Sequence, residues 1–237
     1  QATEIGDAAG KGLDVVIMEP LFGGTLASPP QAVWEIWQAG GCAPADVALR
    51  ELEEVIMYEG PQNIAGFILE PIVGTNGILI PPDGYMQGVR DICTQHGIML
   101  IADEVMSGFG RTGEWFAVNH WGIEPDLMSI AKGLTSAYAP LSGSIVSDKM
   151  WKVLEQGTDE NGPIGHGWTY SAHPIGAAAG VANLRLIDEL NLVENAGSVG
   201  AYLNKVMTDA LGAHANVGEV RGEGMLCAVE FVQDRET

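Results

Sequence analysis

Three ionisable side chains, Glu70, Asp103 and Lys132, each follow a short apolar run. The runs are Ala65-Gly66-Phe67-Ile68-Leu69, Ile98-Met99-Leu100-Ile101-Ala102 and Leu127-Met128-Ser129-Ile130. All three read as buried strands. In an open parallel sheet, ligands bind beyond the carboxyl ends of the strands, so the three groups are expected to face one crevice. Polar residues resume at the end of any strand; the coincidence of three, one of them a lysine, is what points to chemistry. A lysine in a crevice forms a Schiff base with a carbonyl once burial lowers its pKa. A carboxylate that holds a pyridinium nitrogen protonated lets that ring act as an electron sink, the pairing that pyridoxal phosphate needs. An acid after one strand and a lysine after the next are suited to grip opposite ends of such a ring.

Other motifs compete less well. Gly108-Phe109-Gly110-Arg111-Thr112-Gly113 matches G-x-G-x-x-G literally. A dinucleotide fingerprint turns directly from strand into helix, and here Asp103 to Ser107 intervene with no clear helical run after Gly113. A glycine-rich turn that re-aims the chain is the better reading. Ile98 to Glu104 also resembles the strand-plus-acid of P-loop ATPases, but Gly10-Lys11-Gly12 lacks the Ser/Thr and the first spacing of the partner motif. His96, His120, His166, His173 and His214 show no metal-ligand spacing, so no metal is expected.

The elements that must position these groups follow from pattern and composition. The 237 residues suffice for one large domain or two small ones, and 46% hydrophobic content fills a sizeable core. Asp and Glu total 31 against 11 Lys and Arg, a formal charge of −20, which disfavours nucleic acid and anionic membrane surfaces. No apolar stretch approaches a membrane span. Cys42, Cys93 and Cys227 are an odd, scattered set that fits a reducing cytosol. Val15 to Met18 reads as a short strand, with loops at Gly23-Gly24, Pro29-Pro30 and Ala39-Gly40-Gly41. Helices are expected over about 45–57 and 84–95, and a fourth strand of this sheet at Ser144-Ile145-Val146. Apolar strands separated by helices or long crossovers imply a parallel sheet covered on both faces. Pro174 opens a helix so rich in Ala177, Ala178, Ala179, Val181 and Leu184 that it is expected to be buried. Asn191 with Glu194 reads as a capping box for a helix at about 192–211. The alternation of Val220, Met225, Cys227, Val229 and Phe231 reads as strands of a smaller unit.

Several segments together resemble the class III aminotransferases, the group that includes ω-amino acid:pyruvate transaminases. They are Gly66 to Gly74, reading GFILEPIVG, and Ile78 to Tyr85, reading ILIPPDGY. They continue through Leu100 to Gly113, reading LIADEVMSGFGRTG, then Pro125-Asp126-Leu127 with Ala131-Lys132-Gly133-Leu134, and His166 to Pro174, reading HGWTYSAHP. The resemblance spans roughly 60 to 235, in order and with family-like spacing.

That resemblance implies an α/β, fold type I architecture: a mostly parallel sheet sandwiched by helices, with the start of a small C-terminal α+β domain. Residues 1–190 would be a partial large, cofactor-binding domain and 191–237 the start of the small one. The implied activity is transfer of an amino group from an amine or a ω-/β-amino acid to a keto acid such as pyruvate, through a pyridoxal 5'-phosphate Schiff base. An aminomutase or decarboxylase of the same family, or a non-catalytic truncated chain, are the alternatives. Lys132 would be the Schiff-base lysine and proton shuttle, and Asp103 the partner of the pyridine nitrogen. Val105 would pack on the ring face, and Met106 would lie at the cofactor's phenolic edge or serve in packing. Thr169 would bind the phosphate of the neighbouring subunit's cofactor in a homodimer with shared sites, or cap the helix at Pro174. Glu70 would sit near the substrate and offset a substrate-binding arginine. Arg111 is expected to be structural.

The chain departs from the family pattern in identifiable places. The upstream phosphate loop and the aromatic that stacks on the ring are not found, and the carboxylate-binding arginine is expected beyond Thr237. An internal segment of a longer, cytoplasmic protein is the resulting expectation. Ala137 and Ala172 stand where relatives often have glycine.

Overall fold

The computed structural model describes residues 3–5, 14–18, 45–163 and 167–235. The turns read at Gly23-Gly24, Pro29-Pro30 and Ala39-Gly40-Gly41, together with Gly10-Lys11-Gly12, Cys42 and His166, lie outside them. Strands β1 (Thr3–Ile5), β2 (Asp14–Met18), β3 (Ile64–Leu69), β4 (Met99–Asp103), β5 (Leu127–Ile130) and β6 (Gly143–Val146) form one sheet in that spatial order. β2 to β5 run parallel. β1 and β6 run antiparallel at the two borders. The direction of β6 departs from the all-parallel pattern expected of the apolar strands. Its cause is the connection: residues 131–142 hold only a short 3-10 turn, Lys132–Leu134, where a parallel crossover ordinarily carries a helix.

Helices α1 (Ala45–Glu59) and α2 (Tyr85–His96) close one face of the sheet. Leu52 and Ile56 of α1, and Met86, Val89 and Cys93 of α2, pack with Phe67, Leu69, Leu100 and Ala102. The spacing of the buried helical positions is that of one amphipathic face. Gly97, at φ 70°, ends α2 in the left-handed region that a side chain rarely adopts. The opposite face is more open than expected: Ile68, Met99 and Ile101 are only half-buried. Side chains alternate along a strand, so Glu70 and Asp103 project on this less covered face.

Asp126 fixes the start of the central strands. Its Oδ2 accepts from the Leu100 amide at 2.9 Å and from Arg90 at 2.8 Å. Lys149 of α3 (Asp148–Asn161) approaches Oδ1 at 3.4 Å. Burial pushes the Asp126 carboxyl up, but the Leu100 amide and Arg90 outweigh it and hold the group below its ordinary range.

Two readings of the C-terminal third change. Helix α4 (Pro174–Glu189) is largely exposed, with only Gly176, Gly180 and Ile187 buried. Gly176 and Gly180 let it approach Leu141, while Ile175, Val181 and Leu186 face outward, uncovered by the described residues. Helix α5 (Leu192–Leu211) starts without the expected capping box. Asn191 takes φ 51°, ψ 42° where a side-chain cap needs an extended backbone, because its amide closes a tight turn onto Asp188 O. The smaller unit is present as a separate hairpin, β7 (Val217–Glu223) with β8 (Leu226–Phe231).

Glycines join this unit to the sheet. Gly113 packs on Gly197 of α5, and Gly200 of α5 packs on Gly224 at the hairpin turn. Gly224 rests on the backbone of Arg111 and Thr112, and the Met225 amide donates to Arg111 O at 2.7 Å. The glycine-rich segment 108–113 is therefore a turn, and a strut between the strand end at Asp103 and α5.

Candidate active site

Glu70, Asp103 and Lys132 stand at the carboxyl ends of β3, β4 and β5, three neighbouring parallel strands. The register pairs Ile68 with Ile101 and Leu69 with Ala102, so its continuation sets Glu70 beside Asp103. Asp103 in turn pairs with Ser129. Burial raises the Glu70 carboxyl, opposed by a 3.3 Å hydrogen bond from the Gly74 amide; the Asp103 charge raises it further and that of Lys132 lowers it. The Glu70 carboxyl thus senses both Asp103 and Lys132 across the strand ends.

Asp103 is half-buried, and its Oδ1 accepts from the Val105 amide at 3.0 Å, which orients the carboxylate at the strand end. Val105 is likewise half-buried beside it. Lys132 opens the turn after β5 at φ 39°, an uncommon conformation for a residue with a side chain. Its ammonium donates to Met106 Sδ at 3.2 Å and forms no ion pair with Glu70 or Asp103. Lys132 is exposed.

Thr169 is exposed and shares no hydrogen bond with that group among the described residues. It is not the cap of α4: His173 occupies that position, its Nδ1 accepting from the Ile175 amide at 3.3 Å. Arg111 is structural, donating to Met106 O at 2.7 Å.

Two participants escaped sequence reading. Gly74 supplies the amide on Glu70, and a Cβ added there would lie 2.5 Å from Met106 Cγ. Its signal was the fixed spacing in Glu70-Pro71-Ile72-Val73-Gly74, which reads otherwise as a loop. Glu104, 0% exposed, accepts from Ser107 Oγ at 2.5 Å and from the Val118 amide at 2.9 Å. Burial lifts its carboxyl above the ordinary range despite the bonds from Ser107, Val118 and Ala117 and the nearby His120. It faces away from Asp103 and holds the turn Ala117–Trp121 against the strand end.

The donor set suits a pyridine ring with an aldehyde. It offers a carboxylate for a protonated ring nitrogen and a lysine one strand away.

Comparison with known proteins gives consistent matches. The family model described as "Aminotransferase class-III" matches residues 29–237. The diaminobutyrate–2-oxoglutarate transaminase of Halomonas elongata is 56% identical over 184 residues, 78% of this chain and 39% of that protein. The putrescine–pyruvate aminotransferase of Pseudomonas aeruginosa is 46% identical over 191 residues, 80% of this chain and 41% of that protein. Among solved structures, a transaminase from ancestral reconstruction superposes with a TM-score of 0.80 at 55% identity, over 81% of this chain and 42% of its own. An (S)-enantioselective ω-transaminase of Thermomicrobium roseum superposes with a TM-score of 0.77 at 42% identity, with the same coverage. The chain spans about two fifths of the length of the curated relatives it matches.

Proposed function

The chain belongs to the class III aminotransferases and has their fold type I architecture, and on that premise we propose that it contributes the catalytic centre of a transaminase. The reaction moves an amino group from an amine or a ω-/β-amino acid to a keto acid such as pyruvate, with pyridoxal 5'-phosphate as cofactor. The relatives named above act on a diamino acid and a diamine, which supports a donor with a terminal primary amine.

When bound, pyridoxal phosphate supplies an electron sink that stabilises negative charge at the substrate carbon bearing nitrogen. Asp103 holds the proton on the ring nitrogen, and the Val105 amide keeps its carboxylate aimed. Lys132 would hold the cofactor aldehyde through Nζ with loss of water and, once freed by the substrate amine, would move the proton at the substrate carbon. Val105 would pack on the ring face, Met106 would lie at its phenolic edge, and Glu70 would lie near the substrate. Thr169, exposed on the loop before α4, would bind the phosphate of a second subunit's cofactor. The working form is accordingly a homodimer, with 1–190 in the large domain and 191–237 at the start of the small one. A cytoplasmic setting is supported by the free Cys93 and Cys227. No helix among the described residues is long and apolar enough to cross a membrane.

The observation that carries this reading is the placement of Asp103 and Lys132 at the carboxyl ends of the neighbouring strands β4 and β5. The test is to incubate the polypeptide with pyridoxal phosphate, reduce with borohydride and map the modified peptide. Label on Lys132, with transaminase turnover that Asp103→Asn lowers by at least a hundredfold, is expected, since a lost charge-assisted pair costs a few kcal/mol. Label on another lysine with Lys132 unmodified, or Asn turnover within about threefold, overturns it. Mixing Lys132→Ala with Thr169→Ala subunits tests the shared site: heterodimers with one intact site should bind cofactor better than either parent.

A further inference from the structure

The Lys132 ammonium lies close enough to Glu70 to lower its carboxyl and yet donates to a thioether, Met106 Sδ, at 3.2 Å. Two other groups fix that thioether. Arg111 donates to Met106 O at 2.7 Å and its Nη1 lies 3.9 Å from Sδ, so both the backbone and the sulfur are held from one side. Gly74 closes the other side, where a Cβ would lie 2.5 Å from Met106 Cγ and 3.0 Å from its Cβ. The same glycine donates its amide to Glu70 Oε1. Glu70, Gly74, Met106, Arg111 and Lys132 are therefore one connected arrangement.

We propose that Met106 is a positioning residue that parks the Lys132 amine at the crevice, and that the absence of a side chain at Gly74 is what lets it do so. A thioether is a weak acceptor, so it gives the amine a preferred place without holding it as a tightly paired ammonium. A carboxylate at the same point would clamp the cation and withdraw it from attack on a carbonyl. An aliphatic side chain would leave the four-carbon stem of an exposed lysine free among its rotamers. The inference rests on the assignment of Lys132 as the attachment point, and it concerns a different relation, between Met106 and Lys132.

The experiment measures two reactions of Lys132 by peptide mapping in the full polypeptide that carries this chain. One is capture of pyridoxal phosphate, trapped with borohydride; the other is acetylation by a small neutral ester, which needs no cofactor site. Met106→Leu is expected to slow capture roughly fivefold, the size of a modest hydrogen bond, while acetylation holds or rises because the amine is freed. Met106→Glu should slow both. Gly74→Ala should reproduce Met106→Leu, and adding Met106→Ala to Gly74→Ala should recover none of the lost rate, since the thioether that places the amine stays absent. Capture by Met106→Leu within twofold of the parent overturns the proposal. So does an equal fall in capture and acetylation for Met106→Leu at unchanged circular dichroism. Failure of the parent chain to capture the aldehyde at all would refute the cofactor assignment instead, and the acetylation arm would still compare the freedom of Lys132 across the Met106 and Gly74 variants.

Discussion

Asp126 and Arg90 form an ion pair at 2.8 Å, and the same Asp126 oxygen accepts the Leu100 amide at 2.9 Å. One carboxylate thus locks α2 to the entry of β4 and β5, the two strands whose far ends carry Asp103 and Lys132. Register errors at the entry would be felt at the exit, because each residue gained or lost flips the side chains to the other face.

Asp126→Ala should therefore destabilise the chain by about 3 kcal/mol, since it strands a half-buried guanidinium and a buried amide. Stability from this carboxylate is present above its unfolded pKa, near 3.9, and is lost as pH falls through the depressed folded value. Urea titrations from about pH 3 to pH 7 should show the parent losing stability at the acid end more steeply than the Ala variant.

Glu104 carries the opposite sign. Its folded pKa is raised, so its contribution is fully present below the unfolded carboxylate value and is lost as pH rises through the folded one. Glu104→Gln keeps an acceptor for Val118 and a partner for Ser107 while removing the ionisation. It should flatten the stability–pH curve above about pH 4.3, the unfolded reference. Glu104→Ala should cost about 3 kcal/mol because the buried Val118 amide loses its partner. Denaturant midpoints across pH separate the two.

The backbone holds Ala137 at φ 63° and Ala172 at φ 56°, both in the left-handed region. Both are positions where the family resemblance implies glycine. Ala137→Gly and Ala172→Gly should each stabilise by about 0.5–1 kcal/mol, the relief of strain less the added freedom of the unfolded chain. The midpoint of thermal unfolding reads the change.

Gly200→Ala should destabilise by about 3 kcal/mol, because its Cβ would overlap the backbone of Gly224. Gly157→Ala is the matched control in α3, with nothing within 4 Å of the added atom. It should stabilise by roughly 0.5–1 kcal/mol through helix propensity. Limited proteolysis of the 217–231 hairpin should rise only in the first variant.

What the sequence made legible was local. β3, β4 and β5 were readable because continuous apolar runs end in a charge, and Glu70, Asp103 and Lys132 stood at those ends. Arg90 and Leu100 were not readable as partners of Asp126, which lies 36 and 26 residues away from them along the chain. Helix α4 misled because alanine is apolar without being obliged to be buried; its two glycines, not its alanines, mark the packed stripe. Asn191 has the residue type of a cap and the wrong backbone for one. The reversed direction of β6 depended on what the connection lacked, and Met106, read as a residue at the cofactor's phenolic edge or in packing, gave no sign of its sulfur's contact with Lys132.

The contacts of Gly113 with Gly197 and of Gly200 with Gly224 bear on how such a sequence can drift over generations. In most cores a change at one position can be offset by a neighbour, a larger side chain here answered by a smaller one there. Between two glycines no smaller residue exists, so no second substitution can restore the fit. These four positions are closed to compensated exchange, and variation in the C-terminal unit must arise around them, in the outward residues of β7 and β8.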